Sequence, residues 1–169
     1  MILLALDPGK VCLGWCAFKD NVLTHAGLSV IAPAPRTRVN VLAAIHEHNI
    51  RQCFSGHPSQ VYVEQMSLNT GRDYSRGKAI RTANDLLVIT NIAASVVSLL
   101  GGELVHVPIG TWKSGPKVIT KNRVLATLTP DELDVLNGAL RGVRPSIGHN
   151  LFDAAGIGLY ATRRYRIRG

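Results

Sequence analysis

The sequence predicts a single α/β domain over residues 1–169, built as a mixed five-stranded sheet with helices on both faces. The length of 169 residues favours one domain. The hydrophobic fraction of 46% supplies a sizeable core and argues against disorder. Three strand-length apolar runs come first, and helical and strand patterns then alternate. That order predicts antiparallel strands 1–3, followed by strands 4 and 5 in the same sheet.

The N-terminal part of the chain is expected to be an antiparallel meander. Residues 2–6 form a short apolar run that predicts a buried strand. Residues 11–18 and 22–31 are predicted as the second and third strands. Asp20 and Asn21 lie between them and predict a hairpin turn.

A helix and a short strand follow. Residues 37–54 are predicted to form a helix with Thr37 as its cap. Its core face is the set of residues that recur at helical spacing, namely Val39, Leu42, His46, Ile50 and Cys53. Residues 61–63 are predicted as a central strand that ends at Glu64. The polar stretch 67–78 is expected to be a loop.

The second helix is predicted over residues 79–100 and is stopped by Gly101 and Gly102. Residues 86–100 are apolar nearly all round, which predicts burial on two sides. The second side is covered either by a partner subunit or by the chain's own fold. The fifth strand is predicted at residues 104–107.

The C-terminal part is predicted to be helical. Two short helices are expected at residues 121–128 and 131–140, and a loop at residues 145–148. The last helix is predicted over residues 150–165, and the end of the chain is basic.

The net charge of +8, from 19 basic and 11 acidic residues, favours a polyanionic partner such as nucleic acid. A basic but merely solvated surface explains the composition about equally well. Three cysteines form no pairing framework, and no secretory signal is visible, so an intracellular, cytoplasmic protein is expected. The longest apolar stretch, residues 86–100, is shorter than the roughly 20 residues of a membrane span, so no membrane association is expected.

Two acids stand where carboxylates are costly. Asp7 follows an apolar strand and Glu64 follows another, so each needs a partner or a metal ion. Binding crevices in open α/β sheets lie at the carboxyl ends of strands. The alternative for each acid alone is that it caps a turn or pairs with an arginine.

A third group lies on the last predicted helix. His149, Asn150 and Asp153 are spaced three and four residues apart, which puts them on one helical face. Three carboxylates from distant positions suit Mg²⁺ or Mn²⁺, because these cations prefer oxygen ligands. Two such ions roughly 3.5–4 Å apart can promote phosphodiester hydrolysis.

At this point the sequence resembles the RuvC family of Holliday-junction resolvases, of the ribonuclease H-like fold, and is most similar to its compact phage and bacterial members. The matching segments run in the family's order along nearly the whole chain. They are Leu6-Asp7-Pro8-Gly9 with Gly14-Trp15, Val63-Glu64-Gln65, Thr111-Trp112-Lys113 with Lys121, and His149-Asn150 with Asp153-Ala154.

The resemblance implies a magnesium-dependent endonuclease with two ions per site and no nucleotide cofactor. It implies that Asp7, Glu64 and Asp153 are metal ligands. The family carries a fourth ligand or activating group three residues before the last acid, often Asp and sometimes His. Here Asn150 stands at that position with His149 beside it, and either residue can fill the role.

The resemblance also implies a DNA-binding surface. Basic residues after the fifth strand lie near the scissile phosphate in the family, and Lys113, Lys117 and Lys121 fall in that segment, with Lys121 a candidate catalytic residue. The loop after Glu64 enters the junction centre in the family. The corresponding residues here are Arg72, Tyr74, Arg76, Lys78 and Arg81. The basic tail from Arg163 to Arg168, which includes Arg164, either holds phosphates or is a frayed end.

The family acts as a homodimer that makes paired nicks across a four-way junction and leaves 5′-phosphate and 3′-hydroxyl ends. Two alternatives remain open. One is a nuclease of the same fold that acts on flaps, forks or RNA–DNA hybrids, and the other is a catalytically silent module that binds branched DNA. The intracellular setting implied is a bacterium or a phage-infected host cell.

Overall fold

The computed structural model describes residues 1–32, 37–65, 83–113 and 116–165. Within these ranges the strands are β1 Ile2–Asp7, β2 Cys12–Lys19, β3 Val22–Val30, β4 Gln60–Gln65 and β5 Glu103–Pro108. The helices in the same ranges are α1 Val39–Cys53, α2 Ala83–Leu100, α3 Ile109–Trp112, α4 Lys117–Thr127, α5 Pro130–Leu140 and α6 Pro145–Ala161. The strands form one sheet in the order β3-β2-β1-β4-β5, so the predicted mixed five-stranded sheet is confirmed.

Strand β1 lies at the centre of the sheet. It pairs antiparallel with β2, where Asp7 is opposite Gly14. On its other side it pairs parallel with β4, where Leu6 is opposite Val63. Strand β4 in turn pairs parallel with β5. An apolar run fits this position, because a central strand is covered on both faces.

Alternate residues of the strands point to opposite faces of the sheet and belong to two separate hydrophobic cores. Leu4 and Leu6 of β1 face α1 and α2. Leu3 and Ala5 face the other side, where α3 to α6 pack. The sheet is therefore covered by helices on both faces, as the sequence predicts.

Two predicted helix starts are wrong. The stretch 145–148 is not a loop but the first turn of α6, which begins at Pro145. Proline suits the first helical position because its fixed φ matches the helix and its missing N–H would be unsatisfied there. Helix α4 likewise begins after Pro116 at Lys117, four residues before the predicted start, and the short helix α3 was not predicted.

Helix α1 differs from its prediction at both ends. Its cap is Arg38, without a side-chain cap hydrogen bond, and Thr37 lies one residue outside. Cys53, predicted on the core face, is exposed, and Phe54 is buried in its place. Cys53 is the last residue of the helix, and the extended residue that follows it, Phe54, packs into the core instead.

Arg164 has a structural role. Its guanidinium forms a bidentate ion pair with the two carboxylate oxygens of the fully buried Glu132. The backbone N–H groups of Leu23 and Thr129 donate to the same carboxylate. Burial raises the pKa of Glu132, but the hydrogen bonds from Arg164, Leu23 and Thr129 outweigh it and lower the pKa to about 2. Arg164 therefore anchors the C-terminal segment to α5 and β3.

Among the described residues, no helix has the length and apolar character needed to cross a membrane.

Candidate active site

Asp7 and Glu64 lie side by side at the same end of the sheet. The parallel register pairs Leu6 with Val63, so the next residue of each strand is one of these acids. Asp7 shares its face of the sheet with Ala5, and Glu64 shares its face with Tyr62. Both of these neighbours pack in the core on the α6 side. The two half-buried carboxylates therefore belong to the face that α6 covers.

Gly14 of β2 allows α6 to pack closely on the sheet beside β1. It is the register partner of Asp7, and a Cβ at Gly14 would lie 2.5 Å from the carbonyl carbon of Asn150. Only glycine permits this approach, because any side chain would overlap the helix backbone. The segment of α6 that was predicted to complete the site therefore packs directly on the strand that pairs with β1.

The side chain of Asn150 contacts strand β2. Its Nδ2 donates a hydrogen bond of 3.1 Å to the backbone carbonyl of Cys12. The pKa of the Cys12 thiol is raised, first by burial and further by Asp7, while the hydrogen bond to Asn150 acts in the opposite direction. Asn150 and Asp7 thus both lie next to Cys12, so the amide is near the first predicted ligand.

Asp153 is held by a lysine. Its side chain is 7% exposed, and its Oδ2 lies 2.7 Å from Nζ of Lys113. The same ammonium group lies 5.1 Å from the ring centroid of Trp112, which is buried in the core on this face. The counter-ion of the third acid is therefore a lysine from the segment after β5, and not an arginine.

His149 is the neighbour of Asn150 on α6 and is half-buried. Burial lowers the pKa of His149, and Lys117 and Lys113 lower it further against the opposing effect of Asp153. The imidazole therefore lies within the field of two lysines and one carboxylate, and its neutral form is favoured.

A cavity of about 380 Å³ opens beside Asp153, between the first turns of α4 and α6 and the end of α5. Lys121, predicted from the resemblance, lines it and places Nζ 5.1 Å from the centroid of the Phe152 ring. The lining combines two lysines and several apolar side chains with one imidazole and one carboxylate. The lining residues are Lys117, Val118, Lys121, Leu140, Val143, Pro145, Gly148, His149, Phe152 and Asp153.

The predicted ligands share a face without forming a closed coordination shell. Among residues 1–32, 37–65, 83–113 and 116–165, no group of three or more His, Cys, Asp or Glu side chains is arranged to hold a metal ion. The predicted DNA-binding residues Arg72, Tyr74, Arg76, Lys78 and Arg81 lie outside the described residues.

A buried polar network next to the site was not predicted. His46 on α1 is fully buried, and its Nδ1 lies 2.8 Å from Oγ of Ser29, which also accepts from Nδ2 of Asn49 at 2.9 Å. Burial lowers the pKa of His46, and the backbone of Lys10 and Gly9 acts against that effect. The network joins α1 to β3, and His46 lies close to the backbone of Gly9 and Lys10 in the turn that follows Asp7. Its only sequence signal was a histidine on the core face of a helix.

The chain has the fold of solved Holliday-junction resolvases. It is similar to T. thermophilus RuvC in complex with Holliday junction substrate, with 15% identity over 98% of each chain and a TM-score of 0.52. It is also similar to the yeast mitochondrial resolvase Ydc2, with 12% identity over 96% of this chain and 78% of that chain and a TM-score of 0.61. The fowlpox virus Holliday junction resolvase gives 12% identity over 96% and 99% and a TM-score of 0.55.

No protein-family model matches the chain, and no curated protein matches it in sequence. The resemblance to RuvC is therefore confirmed at the level of the fold.

Proposed function

We propose that this chain is a structure-selective endonuclease that resolves Holliday junctions by phosphodiester hydrolysis. The proposal is supported by the positions of the elements that carry Asp7, Glu64 and Asp153. Two of these acids end neighbouring central strands, and the third lies on the helix that covers the same face. The substrate class comes from the structural neighbours, one of which is described in complex with a Holliday junction.

The residues present fit divalent magnesium or manganese in their chemistry. Asp7, Glu64 and Asp153 supply carboxylate oxygens, which these cations prefer. Asn150 engages Cys12 through its amide nitrogen, so its carbonyl oxygen is the atom that would serve as a ligand. Two bound ions would activate a water molecule and stabilise the leaving oxygen. In the absence of a cation, Lys113 neutralises the carboxylate of Asp153. A bound cation would therefore have to displace the lysine or share the carboxylate with it.

Separate roles are proposed for His149 and Asn150. We propose that Asn150 is a metal ligand, because it lies beside Cys12 and Asp7. His149 lines the cavity together with Lys117 and Lys121, so it would orient the DNA backbone. Lys113, once released from Asp153, would stabilise charge that develops on the scissile phosphate. Nicks with 5′-phosphate and 3′-hydroxyl ends are the expected products.

The proposed assembly is a homodimer formed through α2 and α1. One face of α2 is buried against the sheet, whereas Leu87 and Leu99 are 61% and 51% exposed. Val41 and Ile45 of α1 are exposed as well. Two copies would present two sites to a four-way junction and allow paired cuts. Sedimentation of the double variant Leu87→Lys, Leu99→Lys tests this interface, and an unchanged dimer in that variant would exclude it.

One observation favours a second function, a branched-DNA-binding module without cleavage. Lys113 neutralises Asp153, and the described residues hold no ready-made ligand group. Such a module would bind junctions equally well with and without magnesium and would leave them intact.

A cleavage panel decides between these functions. Labelled four-way junction, flap, fork and RNA–DNA hybrid substrates are incubated with the protein, with magnesium or with a chelator. Paired, magnesium-dependent nicks in the junction support the proposal, whereas preferential cutting of another substrate reassigns the specificity. Junction binding without any cleavage selects the silent module.

A further inference from the structure

The cavity beside Asp153 has features that a surface for backbone phosphates does not need. Its volume of about 380 Å³ lies in the range of about 300–1,000 Å³ that is typical of ligand pockets. Its wall includes the apolar side chains of Leu140, Val143 and Phe152. A phosphate group alone would neither fill this volume nor use an apolar wall.

Positive charge converges on the mouth of the same cavity. Helices α4 and α6 both begin here, and their first turns contain no acidic residue and no side-chain cap. Lys117 adds a cation to the first turn of α4, at the helix end that is already positive. A cation in that position destabilises an isolated helix, and a bound anion would remove the conflict.

An aromatic face and an exposed apolar side chain complete the pocket. Phe152 lines the cavity with Lys121 5.1 Å from its ring centroid. Val118 is 60% exposed at the rim, so a ligand would remove apolar surface from water. Aromatic and apolar walls with cations at the mouth match the chemistry of a nucleotide, which joins a flat base to a phosphate.

We infer that this cavity binds one unpaired nucleotide of the DNA substrate, with its base against Phe152 and Val143 and its phosphate at Lys117 and Lys121. The inference rests on the proposed function, because the cavity adjoins Asp153 and would hold a nucleotide next to the bond that is cut. Branched DNA offers such nucleotides at the crossover, where a base can leave the stack at lower cost than in a continuous duplex.

Binding of small probes tests the pocket without any cleavage reaction. The wild-type protein, with a chelator present, is titrated with thymidine 5′-monophosphate, thymidine or inorganic phosphate, and the methyl resonances of Val118, Leu140 and Val143 are followed. The monophosphate is expected to shift these methyl groups and to bind about tenfold tighter than either fragment. Equal affinity for inorganic phosphate, or shifts confined to other methyl groups, would overturn the inference.

A variant that fills the cavity extends the test. Val143→Trp is expected to weaken binding of the monophosphate about tenfold, since it occupies the base position and leaves every cation in place. Val22→Trp, at an exposed position of β3 that does not line the cavity, is the matched control and should bind like the wild type. If Val143→Trp does not fold, Phe152→Leu replaces it, with the same expected loss. Unchanged affinity in the folded variant would overturn the inference.

The two proposals fail in different ways. Magnesium-dependent junction cleavage without binding of the monophosphate removes the nucleotide pocket and leaves the nuclease. Binding of the monophosphate in the cavity without cleavage of any substrate removes the nuclease and supports the pocket alone.

Discussion

Nζ of Lys113 lies 2.7 Å from Oδ2 of Asp153, and this ion pair joins the segment after β5 to the middle of α6. Both side chains are mostly buried, with 15% and 7% exposure. Removing one partner of such a pair leaves the other charge without compensation. If Asp153 is a metal ligand as proposed, a metal ion would have to compete with Lys113 for this carboxylate.

Lys113→Met is expected to make stability depend on magnesium. Without magnesium the variant should lose about 3 kcal/mol, because the Asp153 carboxylate stays buried without its partner. Magnesium should restore part of that loss, so the melting temperature should rise more with added magnesium in the variant than in the wild type. Lys19→Met, at an exposed position, is the control. An equal response to magnesium in all three proteins would contradict competition at Asp153.

Asp7→Asn is expected to abolish cutting while leaving junction binding in place. The substitution keeps the size of the side chain and removes a charge that a hard cation prefers. A loss of about a thousandfold in cleavage rate corresponds to about 4 kcal/mol of transition-state stabilisation. Single-turnover cleavage and a binding titration in chelator measure the two properties separately. Cleavage at the wild-type rate would remove Asp7 from the site.

Asn150→Ala and His149→Ala should have different effects. The first is expected to raise the magnesium concentration needed for half-maximal cleavage by about tenfold, as loss of a ligand or of its support does. The second should raise the KM for the junction and leave the magnesium requirement unchanged, because His149 lines the cavity. Magnesium and substrate titrations check both. If neither variant loses more than a few-fold in rate, neither residue fills the fourth position.

Gly14→Ala should displace α6 from the strands. The added Cβ would lie 2.5 Å from the carbonyl carbon of Asn150 and 3.0 Å from the backbone nitrogen of Leu151, and a helix backbone cannot move locally to avoid it. Urea unfolding should show a loss of about 2 kcal/mol, with a parallel fall in cleavage. In Gly138→Ala, where a Cβ would meet nothing within 4 Å, stability should be unchanged or higher. Equal stability of both variants would show that the contact at Gly14 is loose.

The Glu132–Arg164 ion pair predicts sensitivity to acid. The folded-state pKa of about 2 lies below the ordinary value of 4.5, so the stabilisation is present above that ordinary value and is lost as the pH falls towards 2. Its size is about 3 kcal/mol. Glu132→Gln should lower stability at pH 7 and flatten the dependence of stability on pH in this window. Urea titrations across that range provide the measurement.

Asp134→Asn, at an exposed position of the same helix, is the control and should change stability by no more than about 0.5 kcal/mol. A pH dependence that Glu132→Gln leaves intact would assign the acid sensitivity to other carboxylates.

The order of strands and helices could be predicted because buried strands and helix faces have characteristic patterns of apolar residues in the sequence. Strands β1 and β4 are short apolar runs, and each places its acid at the same end of the sheet. The spacing of Asn150 and Asp153 likewise predicted a shared helical face. Helix ends were the weakest predictions. Pro145 starts α6 at a position where a proline among polar and glycine neighbours suggested a loop.

The sequence alone therefore determined the sheet, the two strand-end acids and the helix that carries the third acid, since these follow from patterns that repeat every two or four residues. Only the tertiary structure decided which groups meet. Lys113 and Asp153 are 40 residues apart, and Asn150 and Cys12 are 138 apart. Such pairs, and the cavity between α4 and α6, depend on how whole elements pack, and no local spacing encodes that arrangement.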